Sequence, residues 1–216
     1  MRVISIFICV FLCGSLSEAC AEDITPSFSQ KLDIQVRYDN RSNRPSREQY
    51  RLRYYPSLAL TSTWSVNSFI VTGDDFSSSH NTFGSDTTDY LYARRLYLRH
   101  ETNAGKTELG IIPTYKGRVS STGLSKDGWI TGIRHVRKLQ NNTALEIVVG
   151  QLANAEASEA FNVGEEDEYF EIEYSAKMGG RHSYEASFER MLNGTFARAE
   201  YRFRINEEDT AFVELV

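Results

Sequence analysis

The sequence predicts an all-β chain built as an antiparallel up-and-down meander. Three observations carry this: apolar and polar residues alternate with a period of two in many separate stretches, the connections alternate between long and short, and no stretch has a helical period. Strict alternation gives a strand one apolar and one polar face. A meander needs only hairpin connections, and its loops fall alternately at its two ends.

The first strong stretch is KLDIQVRYD, where Leu32, Ile34, Val36 and Tyr38 alternate with Lys31, Asp33, Gln35, Arg37 and Asp39. Next, Tyr50, Leu52, Tyr54, Leu58 and Leu60 oppose Arg51, Arg53, Tyr55 and Ser57. Trp64, Val66 and Ile70 oppose Ser65 and Asn67. Further along, Phe170, Ile172, Tyr174 and Ala176 oppose Glu171, Glu173, Ser175 and Lys177. Tyr184, Ala186 and Phe188 oppose Glu185, Ser187 and Glu189. Ala197, Ala199, Tyr201, Phe203 and Ile205 oppose Arg198, Glu200, Arg202 and Arg204. Weaker alternation marks Tyr90–Glu101, interrupted by Arg94-Arg95, then Thr107–Tyr115, Trp129–Lys138, Ala144–Leu152 and Thr210–Val216. Eleven strands are recognisable in all.

The connections Arg41–Gln49, Asp74–Thr88, Lys116–Gly128 and Ala153–Asp167 are long and polar. Between them lie tight turns at Thr61-Ser62-Thr63, Asn103-Ala104-Gly105, Gln140-Asn141-Asn142 and Gly179-Gly180. Long loops at one rim and short turns at the other are the design of outer-membrane barrels. Strands of about ten residues match a tilted membrane crossing. Tyr38, Tyr50, Tyr54, Trp64, Tyr90, Tyr92, Tyr115 and Trp129 lie near strand ends on the apolar faces, where amphipathic rings suit an interfacial girdle. The expectation is a transmembrane β-barrel of about 12 strands, since such barrels have even strand numbers. A soluble sandwich or calyx is the competing architecture.

The N-terminus reads MRVISIFICVFLCGSLSEACAED. A positive Arg2, an apolar run from Val3 to Leu16 and the small-x-small site Ala19-Cys20-Ala21 predict a signal peptide over residues 1–21. Cleavage before Cys20 with acylation is the alternative, to which Glu18 is a poor fit. All three cysteines, Cys9, Cys13 and Cys20, precede the cut after Ala21, so the mature barrel domain of residues 22–216 has no disulfide. The net charge of −5 argues against a nucleic-acid partner. A mean hydropathy of −0.41 is too polar for a helical membrane protein but not for a barrel, whose inner residues face water.

With the apolar faces outward, the lumen receives Arg37, Arg51, Arg53, Arg95 and Arg99 on one wall and Glu171, Glu173, Glu185 and Glu189 on the other. Opposed walls of this kind would set a transverse field across a pore. The same charges could instead neutralise one another across strands and plug a narrow barrel. Both readings stand.

The stretch PTYKGRVSSTGLSKDGWITGIR, Pro113 to Arg134, is the least generic. Its Thr122-Gly123-Leu124, Asp127-Gly128-Trp129 and Gly132-x-Arg134, with the arginine-rich YLYARRLYLRHE before it, resemble a loop-and-strand segment of the porin family of bacterial outer-membrane proteins. The resemblance covers about residues 90–152. It implies an outer-membrane channel for passive diffusion of small polar solutes in a Gram-negative bacterium, with Arg134 lining the pore. Lipid and lipopolysaccharide are the implied surroundings, with Lys116, Arg118 and Lys126 meeting lipopolysaccharide phosphates, and homo-oligomerisation is left open. Turn chemistry at Gly123 and Asp127-Gly128 explains the loop equally well. A non-conducting structural or ligand-binding barrel is the alternative function.

The sequence departs from the family in two ways. It ends on Val216 where porin barrels close on an aromatic residue, and eleven strands are odd. Either one strand is unread or a closing strand lies outside this chain, as in a truncated porin.

No catalysis, metal or cofactor is expected. His80, His100, His135 and His182 lack metal-ligand spacing, and no phosphate loop or nucleophile elbow occurs. A barrel hydrolase would have to draw on His100 beside Glu101 or His182 beside Ser183. The acidic run Gly164–Glu168 could hold a divalent cation, or simply be solvated.

Overall fold

The computed structural model describes residues 25–40, 45–72, 81–83, 91–113, 129–152, 168–191 and 193–215. The signal-peptide expectation therefore lies outside the described residues. So do Thr122, Gly123, Leu124, Asp127 and Gly128, the loop lysines and arginine, His80, Tyr90, Tyr115 and residues 164–167.

Among the described residues, all of the regular structure is β. The strands are β1 (Ser27–Asp39), β2 (Arg47–Ala59), β3 (Trp64–Thr72), β4 (Asn81–Thr82), β5 (Leu91–Thr102), β6 (Gly105–Pro113), β7 (Trp129–Lys138), β8 (Thr143–Leu152), β9 (Glu168–Met178), β10 (His182–Met191), β11 (Gly194–Arg204) and β12 (Thr210–Leu215). They form one 12-stranded antiparallel sheet in the order β1-β2-β3-β5-β6-β7-β8-β9-β10-β11-β12, with β4 paired to β2. The eleven strands read from alternation are the eleven of this path. The twelfth, β4, is a two-residue strand in a stretch that reads as a polar loop.

Two of the tight connections at one end of the sheet work through left-handed backbone. Asn141 and Asn142 (φ 58° and 57°) turn β7 into β8, and Gly179 and Gly180 (φ 58° and 73°) turn β9 into β10. The strand ends joined by the four long connections all lie at the opposite end of the sheet. There the alternation of loop lengths has one exception, because β10 passes to β11 through a tight turn with Asn193 at φ 60°.

Because the path has eleven strands, β1 and β12 run in the same direction. Among the described residues, no ladder joins them. An antiparallel meander of odd number closes only through a parallel pair, so the even-number rule does not describe this path.

Register places the two faces of every strand. One face carries the apolar set, with Leu109, Ile133, Val149 and Phe170 substantially exposed. The other, inner face carries Glu108, Arg134, Glu171 and Arg198, all at or below 6% exposure. Among the described residues no helix covers this one-layer sheet, and such a sheet shields side chains this well by curling around them.

A row of glycines helps the curl. Tyr97, Gly110, Gly132, Gly150 and Tyr169 are successive register partners across β5–β9 on the inner face. A Cβ on Gly132 would stand 2.2 Å from the Val149 carbonyl oxygen, and Gly110 has φ 125°. Neither position admits a side chain, and the two tyrosine rings flank the space left.

One departure from strict alternation is a β-bulge. Phe69 pairs with Arg95 but Ile70 pairs with Ala93, so Arg94 is the extra residue. The bulge puts both Arg94 and Arg95 on the inner side. Arg94 is 2% exposed. This explains the Arg94-Arg95 interruption in the sequence. It also corrects one girdle position: Tyr92 pairs with the buried Val71 on the inner side instead of joining the apolar face.

Candidate functional site: the inner face of the sheet

The inner face has three layers along the strands. At the end of the long connections sits an apolar cluster of Ile112, Ile130, Val148, Tyr169 and Met191, with Tyr97 and Phe196 packed against it. These come from β5 through β11, so side chains from most of the sheet meet in one place. They follow the inner-face alternation to its last positions, where the sequence changes from charged to apolar.

The middle layer is a network of ion pairs. Glu108, fully buried, is its centre. Its Oε1 lies 2.7 Å from Arg99 Nη2 and 3.5 Å from Lys106 Nζ, and its Oε2 accepts from Arg134 Nη1 at 3.0 Å. Arg134 reaches on to Glu146 Oε1 at 2.8 Å and donates to the Pro113 carbonyl at 2.7 Å. Its fixed planar fork lets one side chain serve three acceptors. Farther round the sheet, Tyr169 donates to Glu171 at 2.9 Å. Arg198 Nη2 lies 2.6 Å from Glu185 and 3.5 Å from Glu173. Arg202 is held by Glu200. Glu171 stands directly opposite Glu189, and Glu146 opposite Glu173, so like charges adjoin; Arg134 pairs with Glu146 and Arg198 with Glu173, which offsets the second repulsion.

All ten residues expected on the inner walls share this face: Arg37, Arg51, Arg53, Arg95, Arg99, Arg134, Glu171, Glu173, Glu185 and Glu189. They do not form two bare walls. β6, β7 and β8 lie between the basic and acidic groups, and Glu108 and Arg134 link across them. Arg37 and Arg51 donate to the amides of Gln49 and Gln35. Arg95 lies 5.0 Å from the Phe69 ring, a cation–π contact. Of the loop motif, only Trp129 is within the described residues, as the first residue of β7.

Glu108, the most shielded of these charges, was not legible as a site residue. KTELGIIP alternates only over Lys106–Gly110 before becoming apolar on both faces. Glu146, Arg198 and Glu200 are partners that register, not alternation, assigns.

The third layer is the short-turn end. Its outer face carries rings and histidines. Trp64 and His100 lie 4.5 Å apart between ring centroids. His135 Nδ1 is 2.9 Å from Thr107 Oγ1, and His182 Nδ1 is 2.6 Å from the Tyr201 hydroxyl. His100 and Glu101 are consecutive strand residues and so face opposite sides, as do His182 and Ser183. Neither pair expected for a hydrolase is brought together. No group of three His, Cys, Asp or Glu suited to a metal occurs among the described residues.

Neither a protein-family model nor a curated protein matches this chain.

Proposed function

We propose that this chain is an outer-membrane β-barrel resembling the porins, giving passive passage to small polar solutes. One observation carries the reading: the distribution of polarity is inverted. Glu108, Arg134 and Glu171 are at most 3% exposed, whereas Leu109 is 55% and Ile133 43% exposed in the neighbouring positions of the same strands. Exposed apolar residues run from Phe28 on β1 to Leu215 on β12. In water such a surface would far exceed the patch a soluble monomer tolerates. In lipid it is the required solvent-facing band, and the charges belong inside. The aromatic and histidine groups at the short-turn rim suit a membrane–water interface.

A second reading is a non-conducting barrel of the same topology. The apolar cluster around Tyr169 and the Glu108 network favour it, because both fill the inner face.

Single-channel recording of refolded residues 22–216 in a planar bilayer tests the two. Discrete, salt-dependent steps support the channel. Stable insertion without steps supports the plugged barrel. Recovery as a soluble species that does not insert overturns the membrane reading altogether.

A further inference from the structure

At the short-turn end, the β9–β10 turn and the adjoining ends of β11 and β12 line an open depression of about 340 Å³, whose Lys177, Arg181, Arg204 and Thr210 are exposed. That is within the range of small-ligand pockets, about 300–1,000 Å³. Four cations line it: Lys177, Arg181, Arg202 and Arg204. Register explains why they converge. Lys177 on β9 is opposite Ser183 on β10, and Ser183 is opposite Arg202 on β11. The next inner position of β11 is Arg204, opposite Thr210 on β12. The Arg204 amide donates to the Arg181 carbonyl at 2.8 Å, which ties the turn to β11.

Gly180, His182, Ser183 and Thr210 complete the lining, with His182 Nδ1 held 2.6 Å from the Tyr201 hydroxyl, and no carboxylate is among the described residues that form it. Arg202 already has a partner in Glu200, which fixes its guanidinium at the wall of the depression. Among the described residues, Lys177, Arg181 and Arg204 form no ion pair. The nearby acidic turn does not supply one. Asp209 Oδ2 accepts from Asn206 Nδ2 at 2.8 Å, and the Asn206 side chain in turn accepts from the Glu208 amide at 2.8 Å. That turn is closed on itself. Around Glu108 and around Glu173 and Glu185, by contrast, the inner-face arginines are paired with glutamates.

We propose that this depression binds a phosphate group. Arginine forks match phosphate oxygens in pairs, and a lysine and two hydroxyls supply further donors. A dianion would offset the mutual repulsion of the cations, which a single carboxylate would leave largely in place. The phosphate could be borne by a small solute or, on the barrel reading proposed above, by a phospholipid headgroup at the rim. The site does not depend on whether the lumen conducts.

The test is a titration of the refolded full chain in zwitterionic detergent with inorganic phosphate at constant ionic strength, followed by phosphorus NMR line-broadening. The expected result is saturable binding that weakens about tenfold or more in Arg181→Ala/Arg204→Ala. Arg137→Ala, an exposed cation on the outer face of the same rim, should bind as the parent does. If the double variant does not fold, Arg181→Ala alone, on an exposed turn, provides the comparison. Adding an anionic phospholipid to the micelles separates the sources: displacement of phosphate identifies the headgroup, and undisturbed binding identifies a soluble phosphate. Absence of saturable binding overturns the proposal. So does equal binding by the double variant, or equal loss in Arg137→Ala, which would mean diffuse rim charge.

Discussion

Replacing Glu108 by alanine should be among the most damaging single changes to this sheet. The carboxylate is fully buried and meets Arg99, Lys106 and Arg134. Arg99 keeps a path to solvent, with its side chain 29% exposed, so its loss of a partner is partly repaid by water. Arg134, at 3%, has no such path and would retain only Glu146 and the Pro113 carbonyl. Breaking a buried pair by removing one partner costs about 3–5 kcal/mol. The surviving contacts of Arg134 argue for the lower end, about 3 kcal/mol. With a urea slope of about 2 kcal/mol per molar, that moves the unfolding midpoint down by about 1.5 M. Glu108→Gln keeps the volume and one acceptor and should lose about half as much. The control is Asp39→Ala, whose pair with Arg47 is about one-third exposed and should count for under about 1 kcal/mol. Equilibrium urea unfolding in lipid vesicles, followed by tryptophan fluorescence, measures all three. A Glu108→Ala shift no larger than that of Asp39→Ala would refute the central place given to this network.

Three further outcomes are expected. Val149→Arg, on the outer face, should destabilise the bilayer-inserted protein by about 2–4 kcal/mol if the face meets lipid, against a change within about 0.5 kcal/mol for a water-facing sheet; the same unfolding measurement decides. Gly132→Val should abolish heat-modifiable migration, because the new Cβ meets the Val149 carbonyl, whereas Gly179→Ala meets no neighbour and should cost only about 1 kcal/mol for its positive φ. Tyr169→Ala removes the most deeply buried ring of the apolar cluster and should raise single-channel conductance; an unchanged conductance would show that the cluster does not limit the path.

Several features follow from neighbouring residues alone. Alternation is a local property: once Lys31–Asp39 is extended, Leu32, Ile34, Val36 and Tyr38 must share a face. The same rule put nine of the ten charged residues on one side of the sheet, Arg134 coming from the resemblance instead, and it located all eleven strands of the path. Tight turns were legible too, because left-handed backbone favours the Asn and Gly found at Asn141-Asn142 and Gly179-Gly180.

What alternation could not supply is which residue of one strand stands beside which residue of another. That depends on register, which is set by turns, bulges and packing over the whole sheet. That Arg198 adjoins the glutamate-bearing strand before it was legible, but only the tertiary structure picks Glu185 and Glu173 as its partners and brings Arg134 to Glu108. Only it shows that Arg94-Arg95 is a bulge rather than the end of a strand, since a bulge exists relative to a partner. The glycines at 110, 132 and 150 look unremarkable singly and become a row once three strands align. The convergence of Lys177, Arg181, Arg202 and Arg204 is of the same kind. Sequence determined the two faces of this protein through the two-residue period of the strand. The long-range pairing of strands decided which charges neutralise one another and which are left to meet an anion.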